Sequence, residues 1–168
     1  SVDLEDWFCA SIFSHQLPPS RWGSMELRIV DNTRRLLDLL SRHSIEATFF
    51  VLGWIAQRVP DLIREIDAAG HELATHGYAH QLVTTMTEED FRDDLVRALS
   101  VMKTITSPPI VGYRAPTFTI TSETLWATDI LASCGIKYDS SVFPMSLIAD
   151  YTKIPGLSAD PFVLPNGL

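Results

Sequence analysis

Apolar residues along the chain switch between two periodicities. Ala47-Thr48-Phe49-Phe50-Val51-Leu52 is continuously apolar and aromatic, the pattern of a strand buried on both faces in a parallel sheet. Shorter runs of the same kind occur at residues 1–6, 73–75, 110–113 and 136–139, and Phe162-Val163-Leu164 is strand-like too. Between them the spacing turns helical. Leu27, Val30, Leu36, Leu37 and Leu40 predict a helix over 25–43, capped by Ser24. Pro60 opens a helix over 61–69 that Gly70 closes. Thr87-Glu88-Glu89-Asp90 reads as a cap for a helix running to residue 105, with Phe91, Leu95, Leu99 and Met102 on one face. Thr121 or Ser122 caps a last helix ending near Cys134-Gly135, and residues 7–23 read as a long loop over one end.

Strands alternating with helices imply an α/β fold of parallel strands, either an open sheet or a (β/α) barrel. In such folds the C-terminal ends of the strands all face one way. The notable polar residues fall at those ends: Asp3, Glu5 and Asp6 after the first, His76 and His80 after the third, Arg114 after the fourth and Asp139 after the fifth.

Composition narrows the function. The 168 residues suit one domain, 1–168, with 46% hydrophobic and 20% charged residues. A formal charge of -8, with scattered basic residues, repels a phosphate backbone, so no nucleic-acid partner is expected. Cys9 and Cys134 lack C-x-x-C spacing and are expected as buried free thiols. No apolar run approaches the ~20 residues that span a bilayer. Both ends have the look of cuts, and the domain is expected as an incomplete barrel.

His76 and His80, four apart, can meet one cation, for which zinc is the natural candidate. Gly77 after the first histidine argues against the zinc-protease pattern. Glu5 or Asp6 would complete a two-histidine, one-carboxylate set and leave Asp3 as a base. Arg114 beside Asp3 would keep that carboxylate ionised and fix its orientation.

In order, Val2-Asp3-Leu4-Glu5-Asp6, His76-Gly77-Tyr78-Ala79-His80 and Arg114-Ala115-Pro116-Thr117-Phe118 resemble the motifs of the NodB-homology polysaccharide deacetylases, carbohydrate esterase family 4. Residues 47–53 resemble that family's second strand, and the wording of the four segments is closest to a bacterial exopolysaccharide-locus branch. The resemblance implies a distorted (β/α) barrel holding a divalent metal, usually zinc. By position Asp3 matches the base, Arg114 its partner, and His76 and His80 metal ligands. Glu5 and Asp6 compete for the third ligand position. Asp139 lies near the fourth motif.

The implied reaction is metal-dependent removal of N-acetyl groups from an amino-sugar polymer. The backbone N–H of Thr117 would help hold the oxyanion. Trp7, Tyr78, Phe8 and Trp22 are candidates for stacking on sugar rings. Two other readings stand beside it: hydrolysis of a small amide within the same superfamily, and a sugar-binding module without turnover. The setting implied is bacterial, in the cell envelope (periplasm) or the cytoplasm. Several departures matter: the first-motif acids are spaced as Asp3, Glu5 and Asp6 where two adjacent aspartates are usual, and Thr117 stands where an aromatic residue is common. Gly77 replaces a hydroxyl that usually braces the histidine loop, and no histidine follows His80 to act as the expected acid.

Overall fold

The computed structural model describes residues 1–142 and 160–168. Among the described residues five strands, β1 (Val2–Leu4), β2 (Thr48–Val51), β3 (Glu72–Thr75), β4 (Gly112–Tyr113) and β5 (Tyr138–Asp139), form one sheet in sequence order. All four pairings are parallel. Their register aligns Asp3 with Phe50, Val51 with Thr75, Thr75 with Tyr113, and Tyr113 with Asp139. One row of strand ends results, as the expected α/β fold requires.

The helices are α1 (Ile29–Arg42), α2 (Gly53–Arg58), α3 (Pro60–Ala68), α4 (Glu88–Lys103) and α5 (Trp126–Ser133). Phe49 and Val51 join Leu4, Ile55, Leu62, Ile63 and Ile66 in one apolar cluster, while Phe91, Leu95, Tyr113, Ile130 and Leu131 form a second beneath α4 and α5. Each such side chain removed from water contributes about 1.5–3 kcal/mol. The site is thus mounted on a packed support. The Thr87–Asp90 capping box opens α4 as its sequence predicts.

Several expectations are corrected. α1 begins at Ile29 rather than at residue 25, because its first amides are capped from a distance: Asp6 Oδ2 accepts from the N–H groups of Arg28 at 2.9 Å and Ile29 at 3.1 Å. Ser24 instead ends a 3-10 turn, Pro19–Ser24. Gly53 does not merely end β2 but starts the unforeseen α2, and residues 162–164 are not a strand. The last helix starts at Trp126, after hydroxyl bonds between Thr121 and Thr124. Cys9 is buried as expected, whereas Cys134 is only half-buried. Among the described residues no helix is long and apolar enough to cross a membrane.

Candidate active site

β1 ends in Leu4, and the next residue, Glu5, reaches the histidine loop that follows β3. One ligand atom each from Glu5, His76 and His80 lies within 4.8 Å of the others. Glu5 Oε2 stands 2.7 Å from His80 Nε2. That oxygen is buried yet makes no aligned hydrogen bond among the described residues. Two electron-rich atoms held this close need a proton or a cation between them. An orphaned carboxylate oxygen beside two imidazoles fits the donor set of a divalent cation. The His80 side chain is 4% exposed and that of Glu5 27%, so the cluster opens to solvent on the Glu5 side.

Each imidazole is oriented by its other nitrogen. His76 Nδ1 donates to the backbone carbonyl of Arg114 at 2.7 Å, which leaves Nε2 as its lone-pair atom. His80 Nδ1 lies 3.4 Å from Ser11 Oγ, which is itself 3.0 Å from Thr117 Oγ1. Burial, and then the neighbouring His80, push the His76 pKa down to about 4. His76 is therefore neutral near pH 7, the form that ligates metals.

Asp6 is not brought into the cluster. Its Oδ1 accepts from the Trp7 N–H and its Oδ2 caps α1. Between the two acids in question the structure gathers Glu5, while Asp6, extended at φ -92°, ψ 160°, turns to the Trp7 N–H and the start of α1.

Asp3 and Arg114 meet as expected. Arg114 Nη1 donates to Asp3 Oδ1 at 2.7 Å, while Nη2 donates to the hydroxyls of Ser1 and Ser140 and Nε to the Ser140 carbonyl. The guanidinium packs 3.9 Å from the Phe50 ring centre. Five donors in a planar fork make these simultaneous bonds feasible. Arg114 thus draws the ends of β1 and β5 together, as in a sheet curving towards closure.

Asp139 lies behind this pair. It accepts from the Ser141 N–H at 3.0 Å and from the Ser141 hydroxyl, whose oxygen accepts from the Ala115 N–H at 2.7 Å. Burial raises its pKa to about 6. Its role is to shape the segment after β4.

Of the residues expected to touch substrate, Trp7 is 40% exposed, edge-on to Phe8 and Phe13, with the Arg28 guanidinium over its ring. Thr117 is exposed at φ 54°, ψ 27°, a left-handed conformation uncommon for threonine. Tyr78 is buried under Arg97, and its hydroxyl donates to Gln57 Oε1 at 2.6 Å. It acts as a wall of the loop. Phe8 and Trp22 are buried in the core.

The sequence model of the polysaccharide deacetylases matches residues 23–138, more than half of the chain. The chain belongs to the polysaccharide deacetylase family. The Helicobacter pylori peptidoglycan deacetylase is 29% identical over 71% of this chain and 40% of its own length. A Bradyrhizobium chitooligosaccharide deacetylase is 30% identical over 60% of this chain and 44% of its own. A solved Mycobacterium smegmatis structure, assigned as a polysaccharide deacetylase, superposes with a TM-score of 0.60 and 34% identity, covering 79% of this chain and 42% of that one. The chain spans less than half the length of these relatives.

Several residues that hold this cluster in place were not singled out from sequence: Ser11, Asp94, Ser140 and Ser141. Asp94 carried a readable signal. It is an acid three residues after Phe91 and four before Ala98, on the apolar face of α4.

Proposed function

We propose that the chain forms the metal-binding part of a hydrolase that removes N-acetyl groups from an amino-sugar polysaccharide. The observation that carries this reading is the juxtaposition of the Glu5, His76 and His80 cluster with the Asp3–Arg114 pair at one end of a parallel sheet. Membership of the deacetylase family, with relatives named for peptidoglycan and chitooligosaccharides, supports the substrate class. The wording of the motifs supports a bacterial exopolysaccharide setting.

Glu5, His76 and His80 would hold the cation, with zinc the first candidate. When bound, such a cation supplies Lewis acidity, polarising an acyl oxygen and lowering the pKa of water at the site. Asp3 takes the proton of the attacking water, whose oxygen bonds to the acyl carbon, and that proton passes to the amine as the C–N bond breaks. Arg114 aims Asp3, its Nη1 donating to Asp3 Oδ1 at 2.7 Å. The N–H of Thr117 helps hold the oxyanion. The solvent-open side at Glu5 leaves room for the substrate.

The test is acetate release from acetylated glucosamine oligomers by the full-length protein, with and without chelator. Release abolished by chelator and restored by zinc supports the reading. Release indifferent to chelator overturns it, and zinc-dependent oligomer binding without acetate replaces it with the sugar-binding module.

A further inference from the structure

The loop from His76 to His80 carries both imidazoles but does not hold its own shape. Gly77 has φ 73° and His80 has φ 53°. A left-handed histidine is a conformation that its surroundings must enforce. Much of that enforcement comes from outside the loop.

Two consecutive amides between the imidazoles point at one carboxylate. The Tyr78 N–H donates to Asp94 Oδ2 at 2.6 Å and the Ala79 N–H donates to Asp94 Oδ1 at 3.1 Å. An anion receiving successive backbone amides fixes the turn that presents them. Asp94 is carried on α4, whose Phe91, Leu95 and Ala98 are buried, so the carboxylate is delivered from a rigid base. On the other side the N–H groups of Gly53 and Trp54 donate to the carbonyls of Gly77 and Tyr78 at 2.8 and 3.0 Å. The loop is gripped between α2 and α4.

The residue at 77 is matched to this grip. A Cβ added to Gly77 would lie 2.8 Å from Asp94 Oδ2. Glycine therefore supplies the left-handed turn and the space that the carboxylate occupies.

We infer that Asp94 is a positioning residue for the cation site: by binding the Tyr78 and Ala79 amides it sets the separation and aim of His76 and His80. The inference rests on the reading of Glu5, His76 and His80 as metal ligands. Without Asp94 all three ligands remain, but the loop must be ordered when the cation binds. The loss falls on affinity and on coordination geometry.

The experiment measures zinc dissociation constants by chelator competition for the full chain and three variants, together with visible absorption of the cobalt-loaded forms. Asp94→Ala is expected to weaken zinc by about 10- to 100-fold and to alter the cobalt spectrum, in line with the cost of losing an outer-shell partner. Asp94→Asn, which keeps the shape and one acceptor, is expected to fall between it and the wild type, and serves alone where the alanine variant does not fold. Leu62→Ala, a core truncation in α3, is expected to lower the melting temperature but leave the zinc constant within about twofold. An unchanged zinc constant in both Asp94 variants overturns the inference, as does an equal weakening in Leu62→Ala. Absence of zinc binding by the wild type overturns the metal reading beneath it, a result distinct from either.

Discussion

The backbone carbonyl of Arg114 accepts the Nδ1 hydrogen of His76 at 2.7 Å, while the guanidinium of the same residue holds Asp3 at 2.7 Å. One residue at the end of β4 thus fixes both a candidate ligand and the candidate base. The two bonds have different sensitivities to mutation, since the first uses the main chain and survives any side-chain change.

Arg114→Lys therefore keeps the His76 bond and loses the fork. A lysine offers a point charge that cannot hold Asp3, the Ser140 carbonyl and the Ser140 hydroxyl together. Activity is expected to fall about tenfold or more through misplacement of Asp3, with zinc content unchanged. Asp3→Asn, which removes the base itself, is expected to cost about 10²–10⁴ in kcat. Steady-state kinetics with metal analysis checks both, and zinc loss in Arg114→Lys would contradict the division of labour.

The adjacent acids Glu5 and Asp6 have opposite expected phenotypes. Glu5→Ala removes the oxygen beside His80 Nε2 and should strip zinc from a protein that still melts near the wild-type temperature. Asp6→Ala leaves the first amides of α1 uncapped, one of them buried, at a cost of about 1–3 kcal/mol. It should keep zinc. Thermal unfolding and elemental analysis of the pair decide the matter, and the reverse pattern would make Asp6 the ligand.

Gly53→Ala tests the support beneath the histidine loop. A Cβ there would meet Tyr78 Cδ2 at 2.9 Å and Ala98 Cα at 3.0 Å, the latter being backbone that cannot step aside. The expected loss is about 1–3 kcal/mol, read from denaturant unfolding. An unchanged midpoint would show that α2 and α4 are not packed as closely as described.

Asp139 gives stability a pH dependence. Its pKa is raised to about 6 by burial, whereas in the unfolded chain it returns to the ordinary carboxylate range near 4. Between those values the folded state holds more protons than the unfolded state, so stability falls as pH rises from about 4 to about 6. The destabilisation approaches order 2 kcal/mol above pH 6, its partial exposure taken into account. Unfolding of the wild type and of Asp139→Asn across pH 4–8 should show the gap between them shifting in favour of asparagine as pH rises. A constant gap would mean that Asp139 stays ionised in the folded chain.

The alternation of strand and helix, the row of polar residues at strand ends, and the pairing of Asp3 with Arg114 as an expectation are readable along the chain. These are legible because periodicity and motif spacing are local properties, and parallel strands deliver their C-terminal ends to one side. The choice of Glu5 over Asp6 for the cluster was decided only in three dimensions, where one acid turns to the imidazoles and the other caps a helix whose first amides lie 22 and 23 residues further along. So were the burial of Tyr78, the start of α1 at Ile29, and the grip of Asp94 on the loop between the two histidines. Each depends on hydrogen bonds between segments distant in sequence, and a backbone amide that needs a partner carries no mark in the sequence of which side chain will supply it.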